Sequence, residues 1–294
     1  MRKKFDQKRP YLLFCGSLPR RFVTPAIPGA PRIASLVPSL TELVFALGLG
    51  EWLVARTGFC VHPADGVAKV AKVGGTKDVN LATLRSLAPT HVLVNRDENR
   101  RETIDAIAAW GAGAPEIVVT HPVEPEDNLA LVDRLAQVFA GAPLLAERAA
   151  RLRHELGAEL AATTAAGRVE QRVLYLIWYD PWMTVARNTY LSRMLARIGW
   201  LTWPDHHGGI VGAARYPALA DDELWLGSVD RVLLSSEPFA FQPHHVAEAQ
   251  ALCPTATVQR VDGELLSWYG SRAVAGLRYL RTLADDNALA DRSG

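Results

Sequence analysis

Short apolar runs alternate with amphipathic stretches along most of this chain, and this alternation restricts the possible folds more than any other feature of the sequence. An apolar run at residues 33–37 precedes a helical pattern that ends at Gly48. Helical patterns at residues 81–87 and 102–110 then lead into apolar runs at residues 91–94 and 117–119. Such alternation predicts a parallel sheet with helices on its faces, and thus an α/β fold.

The same alternation starts again after Gly167, which predicts a second α/β lobe. Leu84 and Val92-Leu93-Val94 have counterparts at the same spacing in Leu224 and Val232-Leu233-Leu234. Duplicated lobes would leave such an internal echo in the sequence. The elements predicted for this second lobe are strands at residues 172–178, 231–234 and 256–261 and helices at residues 190–198, 221–226 and 272–283.

One long helical pattern, residues 142–166, connects the two halves. Pro143 suits a first helical turn and Gly167 suits a C-terminal stop. Between them, apolar residues at spacings of three and four form a stripe: Leu145, Ala149, Leu152, Leu156 and Leu160. At 1.5 Å per residue this helix would span roughly 36 Å, which is enough to carry the chain from one lobe to the other. The alternative is a core helix of a single domain.

These patterns predict two Rossmann-like parallel-sheet lobes bridged by a single long α-helix. The predicted parts are an irregular N-terminal leader at residues 1–31, an α/β lobe at residues 32–141, the bridging helix at residues 142–167 and a second α/β lobe at residues 168–294. Within the first lobe, Ser39 and Glu42 fit a capping box, in which each side chain satisfies a free amide at the start of a helix.

The leader leaves the cellular location open. Met1-Arg2-Lys3-Lys4 resembles the basic start of a signal peptide, but the apolar run at residues 11–14 is shorter than the roughly 7–15 residues of a signal core. Cys15 follows that run and loosely resembles a lipoprotein cleavage site. No apolar stretch approaches the roughly 20 residues that a membrane-spanning helix needs.

Charge and cysteine content exclude several classes of function. The 32 Lys and Arg residues against 31 Asp and Glu give a net charge of +1, so no overall field would attract nucleic acid or an anionic membrane. Cys15, Cys60 and Cys253 are too few and too widely spaced for a disulfide framework or a C-x-x-C metal site. They are expected to be buried or incidental thiols.

The residues that follow the predicted strands are the candidate binding residues, because open α/β sheets bind ligands beyond the carboxyl ends of their strands. Aromatic rings there could stack on a large flat ligand, and arginines could meet carboxylate, phosphate or catecholate oxygens. The first lobe offers Phe59, His62, Asn95 and Arg96. The second lobe offers Trp178, Tyr179, Trp182, Trp268, Tyr269 and Arg272.

Signatures of catalysis and of a resident metal are missing from the sequence. It contains no G-x-S-x-G elbow, no Walker-type or dinucleotide-binding glycine loop, and no cysteine in a recognisable catalytic setting. His206-His207 and His244-His245 are adjacent pairs, whose side chains point apart on a strand or helix, so neither pair predicts a metal site. We therefore expect no catalytic residue, no metal ligand and no intrinsic cofactor.

The order of motifs resembles the substrate-binding proteins of ABC importers for vitamin B12 and ferric siderophores, the class III periplasmic binding proteins that include the helical-backbone metal receptors. The resemblance lies in the opening stretch at residues 32–42, in Val73-Gly74-Gly75-Thr76 with Asn80-Leu81, in residues 87–94, and in residues 178–185 and 267–272. It implies two lobes with little hinge closure that hold a corrinoid or ferric siderophore. It also implies a periplasmic or cell-surface monomer that docks on an ABC permease.

Two departures from this pattern, the poor match of the leader to a signal peptide and the lack of docking acids, favour a rival interpretation. Ala82 stands where the resemblance implies an acidic docking residue on the first lobe. In the corresponding region of the second lobe, residues 191–199, Arg193 and Arg197 occur in place of an acid. A cytoplasmic cofactor-handling protein or enzyme could reuse the same fold without a transporter. An interaction module without a small ligand is a third possibility.

Overall fold

Two parallel β-sheets form the framework of the molecule. The computed structural model describes residues 29–209, 212–220 and 223–290, so the predicted leader falls almost entirely outside the described residues. The strands are β1 (Ile33–Ser35), β2 (Leu53–Arg56), β3 (Ala71–Lys72), β4 (His91–Asn95), β5 (Glu116–Thr120), β6 (Gln171–Leu176), β7 (Trp200–Thr202), β8 (Arg231–Ser235) and β9 (Thr257–Val261).

Helices occupy most of the segments between these strands. They are α1 (Pro38–Ala46), α2 (Ala64–Val67), α3 (Leu81–Ser86), α4 (Arg101–Ala108), α5 (Asp127–Val138), α6 (Leu145–Ala162), α7 (Tyr190–Ala196), α8 (Pro243–Leu252), α9 (Gly263–Ser267) and α10 (Ala273–Ala290). Short 3₁₀ turns complete the connections, including one at Gly270–Arg272 and one at Ala213–Arg215.

The first sheet has the strand order β3-β2-β1-β4-β5 and the second has the order β7-β6-β8-β9. All named pairings are parallel. The predicted fold class, two parallel-sheet α/β lobes, is confirmed. The strand part of the internal echo has a structural counterpart, because β4 and β8 occupy the same place in their sheets, next to β1 and β6. The leucine part has none, since Leu84 is buried in α3 and Leu224 is 99% exposed.

The helix between the two sheets is shorter than the sequence pattern predicts. Helix α6 begins at Leu145, after Leu144 in a left-handed conformation, and ends at Ala162, before the extended Thr163. Its 18 residues therefore span about 27 Å. Pro143 and Gly167 lie outside the helix, because the chain turns at Leu144 and Thr163 before it reaches them. The apolar stripe from Leu145 to Leu160 is buried as predicted.

One of three hydrophobic cores among the described residues runs through both lobes and includes α6. It contains Ile33 and Leu43 from the first lobe, Leu156 from α6, and Met194 and Leu277 from the second, all fully buried. Side chains that pack in one continuous core cannot separate without exposing apolar surface, which costs about 25 cal/mol for every Å². The shared core thus holds the two sheets at a fixed separation, in line with the small hinge movement that the resemblance implies.

A second set of contacts joins α1 of the first lobe to the turn Gly270–Arg272 of the second. Gly270 has a φ of 83°, and a Cβ placed there would lie 3.3 Å from the Leu43 side chain. The Gly270 amide donates a hydrogen bond to the Asn128 side chain, which in turn donates to the Tyr190 hydroxyl at 2.8 Å. Glycine allows this turn to pack directly against α1.

The start of α1 differs from the predicted capping box. The helix begins at Pro38 with Val37 as its N-cap, and no side chain caps it. Proline at the first helical position already fixes the backbone and lacks an amide that would need a partner. Ser39 is consequently a buried helical residue, and the Glu42 carboxylate binds Arg272 instead of the helix start.

Two further segments depart from expectation. The predicted helix at residues 221–226 is a 3₁₀ turn at Leu224–Ser228, and residues 221 and 222 lie outside the described part of the chain. Strand β7, with only three residues, gives too short an apolar signal to be recognised.

Cys60 and Cys253 are buried free thiols, whereas Cys15 lies outside the described residues. Among the described helices, none is long and apolar enough to cross a membrane.

Helix α3 offers a direct test of local helix capping. The Asn80 side chain accepts a hydrogen bond from the Thr83 amide at 2.9 Å. Replacing Asn80 by alanine should lower the free energy of unfolding by about 0.5–2 kcal/mol, because that amide loses its acceptor. Asn80→Asp keeps an acceptor and is the matched control. Urea denaturation followed by tryptophan fluorescence would measure both, and equal losses would contradict the capping role.

Candidate ligand-binding cleft

A cavity of about 580 Å³ lies between the two lobes, and we call it the interlobe cleft. In the first lobe, the lining comes from the segments that follow the strands β1 to β5. In the second lobe, it comes from the end of β6 and from the segments that follow β6, β7, β8 and β9. Parallel strands of each sheet therefore direct their carboxyl ends at one shared space, where α/β proteins bind ligands. A depression of similar volume near Lys77 and Arg100 is lined by the first lobe alone.

Of the four residues predicted for the first wall, two line the cleft. Phe59 lies at its edge with 63% of its surface exposed, and Asn95 is buried at the end of β4. The Asn95 side chain accepts hydrogen bonds from the amides of Asp97 and Glu98, so it shapes the loop that carries these two acids. Arg96 is exposed away from the lining.

His62, the fourth residue of that prediction, lies behind the wall. Its Nε2 atom is 3.0 Å from the Glu264 carboxylate, and its ring packs against Trp268 with a centroid separation of 5.6 Å. The residue thus joins a loop of the first lobe to the second lobe. It supports a lining side chain and does not itself line the cleft.

Trp268 and Tyr269 line the cleft from the second lobe. The indole nitrogen of Trp268 donates to the Glu237 carboxylate at 2.7 Å, and the Arg272 guanidinium lies 4.7 Å from its ring centroid. The Tyr269 hydroxyl donates to the Glu98 carboxylate at 3.0 Å, which is a hydrogen bond between the lobes. Both rings are more than nine-tenths buried, so they form a pre-positioned wall.

Trp178, Tyr179 and Trp182 lie elsewhere in the second lobe. The chain after β6 turns back through a bridge between Trp178 and Met183, which directs these rings toward Phe239 and Phe241. Tyr179 and Trp182 pack on the core that covers the opposite face of the second sheet from α6. The structure therefore does not bring these three aromatic side chains into the interlobe cleft.

Arg272 forms ion pairs with two acids and does not line the cleft. Its guanidinium binds both carboxylate oxygens of Glu42, at 2.7 and 3.1 Å, and one oxygen of Glu264 at 2.9 Å. Because Glu42 lies on α1 and Arg272 follows α9, this ion pair also fastens the two lobes together. A forked guanidinium–carboxylate pair is among the stronger polar contacts in proteins.

Three acids of the lining were not in the predicted set: Asp97, Glu98 and Glu237. Asp97 and Glu98 follow β4 directly, and Glu237 follows β8, the corresponding strand of the second sheet. Their position after a strand is the signal that could have identified them. Three tyrosines that also line the cleft, Tyr175, Tyr190 and Tyr216, have no such obvious position in the sequence.

Burial changes the acidity of these carboxyl groups. The pKa of Glu98 is raised to about 7, mainly by burial and also by the nearby Glu237 and Asp97, whereas the Tyr269 hydroxyl and Lys77 act to lower it. Burial also raises the pKa of Glu237, against the hydrogen bonds from Ser267 and Trp268. The cleft therefore contains a carboxyl group that titrates close to neutral pH.

Asp97 is held by a buried arginine from the other lobe. The Arg215 guanidinium, 1% exposed, contacts one Asp97 oxygen and lies 3.3 Å from Nε2 of His121. The second oxygen of Asp97 is buried and has no hydrogen-bond partner among the described residues. Arg215 also donates to the backbone carbonyl of Asn188. This pair is a further polar link between the lobes.

Within the described part of the chain, no group of three or more His, Cys, Asp or Glu is placed to hold a metal ion. His245 of the pair His244-His245 is used structurally, because its Nδ1 accepts a hydrogen bond from the Gln242 amide at the start of α8.

Comparison with curated proteins finds relatives that share part of the sequence. The chain is 28% identical over 168 residues to a vitamin B12-binding protein of Photorhabdus laumondii, a match that covers 57% of this chain and 59% of that protein. It is 32% identical over 108 residues to a vitamin B12-binding protein of Yersinia pestis, which covers 37% of each. No protein-family model matches the sequence.

Comparison with solved structures covers nearly the whole described chain. The periplasmic vitamin B12-binding protein BtuF of Vibrio cholerae superposes with a TM-score of 0.71 at 18% identity, over 87% of this chain and 97% of that one. The periplasmic heme-binding protein RhuT of Roseiflexus superposes with a TM-score of 0.70 at 23% identity, over 87% and 99%. The chain has the fold of these binding proteins, and the resemblance noted from the sequence is confirmed.

Proposed function

We propose that this protein captures a metal-bearing small molecule, a corrinoid or a ferric siderophore, between its two lobes and delivers it to an ABC transporter. The observation that carries the proposal is the interlobe cleft, which has a volume of about 580 Å³ and is lined by both lobes. Small-molecule sites typically occupy about 300–1,000 Å³ and combine apolar walls with a few polar groups. The cleft has both features.

The composition of the walls supports a large, partly planar ligand. Phe59 on one side, and Trp268 and Tyr269 on the other, present aromatic surface. Trp268 is held on both its nitrogen and its ring face, so it loses little conformational freedom when a ligand binds. The curated relatives and the solved structures with this fold carry names that describe binding proteins, not enzymes.

Export and docking on a permease are the further steps of this proposal. The relatives with solved structures are described as periplasmic, which supports a site of action outside the cytoplasmic membrane. Ala82 is exposed on α3, and Arg193 and Arg197 on and after α7 are paired with Glu124 and Glu126. Docking on a permease would then use surface charges other than the acids that the resemblance implies. Fractionation of cells that express the full chain would show in which compartment the protein resides. Recovery of the protein in the cytoplasmic fraction would favour the rival cofactor-handling function.

Ligand titration tests the capture step. Cobalamin, cobinamide, haem and ferric siderophores of hydroxamate and catecholate type would be added to the purified protein while tryptophan fluorescence is followed. We expect at least one of them to bind in a saturable manner. If none of these chelates binds, the proposed function is wrong.

Three variants locate the bound ligand. Phe59→Ala should weaken binding about two- to tenfold, because an aromatic stacking contact contributes about 0.5–1.5 kcal/mol. Phe59 is largely exposed, so its removal should leave the fold intact. Val169→Ala removes another exposed apolar side chain far from the cleft and is the control. Trp178→Ala should also leave the affinity unchanged. If Trp178→Ala weakens binding and Phe59→Ala does not, the ligand binds outside the interlobe cleft.

A further inference from the structure

We infer that Asp97, Glu98 and Glu237 make the interlobe cleft a charge filter, which admits a neutral or cationic chelate rich in N–H donors and excludes anionic chelates. This inference rests on the proposed function and specifies the chemical class of its cargo. It follows from which polar groups line the cleft and from which partners those groups already have.

The charged side chains of the lining are all carboxylates, which accept hydrogen bonds. Glu237 accepts from the Trp268 indole and the Ser267 hydroxyl through the same oxygen, Oε1, at 2.7 and 2.9 Å. Glu98 accepts from the Tyr269 hydroxyl through one oxygen as well. Asp97 adds its negative charge to the lining, although Arg215 binds one of its oxygens and the other is buried. Carboxylates have more acceptor positions than these contacts fill, so a ligand that donates N–H groups would find partners.

The positively charged side chains near the cleft bind other groups of the protein and do not line the cleft. Among the described residues that line it, none is a lysine, arginine or histidine. Arg215 lies behind Asp97, and His121 lies beside the same carboxylate. The Lys77 amine donates to the backbone carbonyl of Asp97 at 2.6 Å. An anionic ligand would therefore meet no lining cation to compensate its charge.

Negative charge is already costly in this space. The pKa values of Glu98 and Glu237 are both raised, with burial as the main cause. A ligand carboxylate or catecholate brought between them would add a like charge in a poorly solvated cleft, and such juxtaposition is strongly unfavourable. A cation or an amide would instead stabilise the ionised carboxylates. Haem, with its propionates, belongs to the excluded class, whereas a corrinoid with amide side chains belongs to the admitted one.

Ligand pairs that share a ring and differ in charge test the filter. Cobinamide carries amides around its corrin ring, and cobyrinic acid carries carboxylates at the same positions. Haem and haem dimethyl ester form a second pair. Affinities would be measured by fluorescence at pH 8, where Glu98 is mostly ionised because its pKa is about 7. We expect the amide or ester member of a pair to bind at least about tenfold more tightly.

Variants connect the preference to the acids. Glu237→Gln keeps an oxygen for Trp268 and removes the charge, so the ratio of affinities should shrink by at least about threefold. Glu170→Gln changes an exposed acid outside the cleft and should leave the ratio unchanged. If Glu237→Gln lowers the ratio of affinities no more than Glu170→Gln does, the acids of the lining are not the cause of the preference.

The outcomes separate this inference from the proposed function. If some chelate binds but the carboxylate members bind as tightly as their neutral partners, the charge filter is wrong and ligand capture stands. If the carboxylate members bind more tightly, the filter is likewise wrong. If no corrinoid, haem or siderophore binds at all, both the capture function and the filter fail.

Discussion

Replacing Arg215 by methionine is expected to lower the free energy of unfolding by about 3–5 kcal/mol, the largest loss for any single substitution considered for this chain. Arg215 is 1% exposed and belongs to the second lobe, whereas its partner Asp97 belongs to the first. Without the guanidinium, the Asp97 carboxylate would stay largely buried with no full counter-charge. Breaking a buried pair on one side is costly for this reason, even where the intact pair contributes little.

Two comparisons make this expectation specific. Arg100→Met breaks the pair with Asp78, whose side chains are 57% and 82% exposed, and should cost at most about 1 kcal/mol. The double variant Asp97→Asn with Arg215→Met removes both charges and should recover a large part of the loss. Urea denaturation of all variants would provide the free energies. A loss at Arg215 no larger than at Arg100 would show that the buried pair does not hold the lobes together.

Much of the fold could be predicted because each strand is a short apolar run bounded by polar residues. Strand β4 was expected at residues 91–94 and extends from His91 to Asn95. Strand β8 was expected at residues 231–234 and extends from Arg231 to Ser235. The ends of α6 were predicted less well, because its limits are set by the backbone turns at Leu144 and Thr163. Neither residue type favours such a turn by itself.

The site could be predicted where its residues come soon after a strand or, like Trp268 and Tyr269, after the short helix that follows the last strand. Phe59 and Asn95 were identified in this way and line the cleft. Trp178 also follows a strand, but a tight turn sends it to the other face of the sheet. Arg272 has the chemistry of a ligand-binding residue, and only the tertiary structure brings it to Glu42. Whether a charged residue finds an internal partner depends on distant segments, which a local pattern does not contain.

Rigidity is the property that connects the fold to the proposed capture of a ligand. Several polar links join the lobes, among them Arg215 with Asp97, Arg272 with Glu42, and Tyr269 with Glu98. They surround a core that is continuous through α6. A cleft with fixed walls selects its ligand by shape and charge, because it cannot adapt to each ligand by closing around it. The acids of the lining therefore bear directly on which cargo is accepted.

Glu98→Gln is expected to stabilise the folded protein, and to do so increasingly as the pH rises. Burial raises the pKa of Glu98 from its usual 4.5 to about 7 in the folded state. Below about pH 4.5 the folded and unfolded states both hold the proton, so the group contributes no pH dependence. Between about pH 4.5 and 7 the unfolded chain releases its proton while the folded protein keeps it, so stability falls as the pH rises. Above about pH 7 this loss is complete.

Glutamine removes the titrating proton and keeps an oxygen that can accept from Tyr269. Its stabilising effect should therefore be about 1–3 kcal/mol larger at pH 8 than at pH 4.5, because each unit of pKa shift corresponds to about 1.4 kcal/mol. The charges that face Glu98 come from Lys77, Asp97 and Glu237, and they are the same in both proteins. Denaturant unfolding at several pH values would measure the difference. Glu170→Gln, which alters an exposed acid, should show no such trend, and a parallel trend in both variants would refute a raised pKa at Glu98.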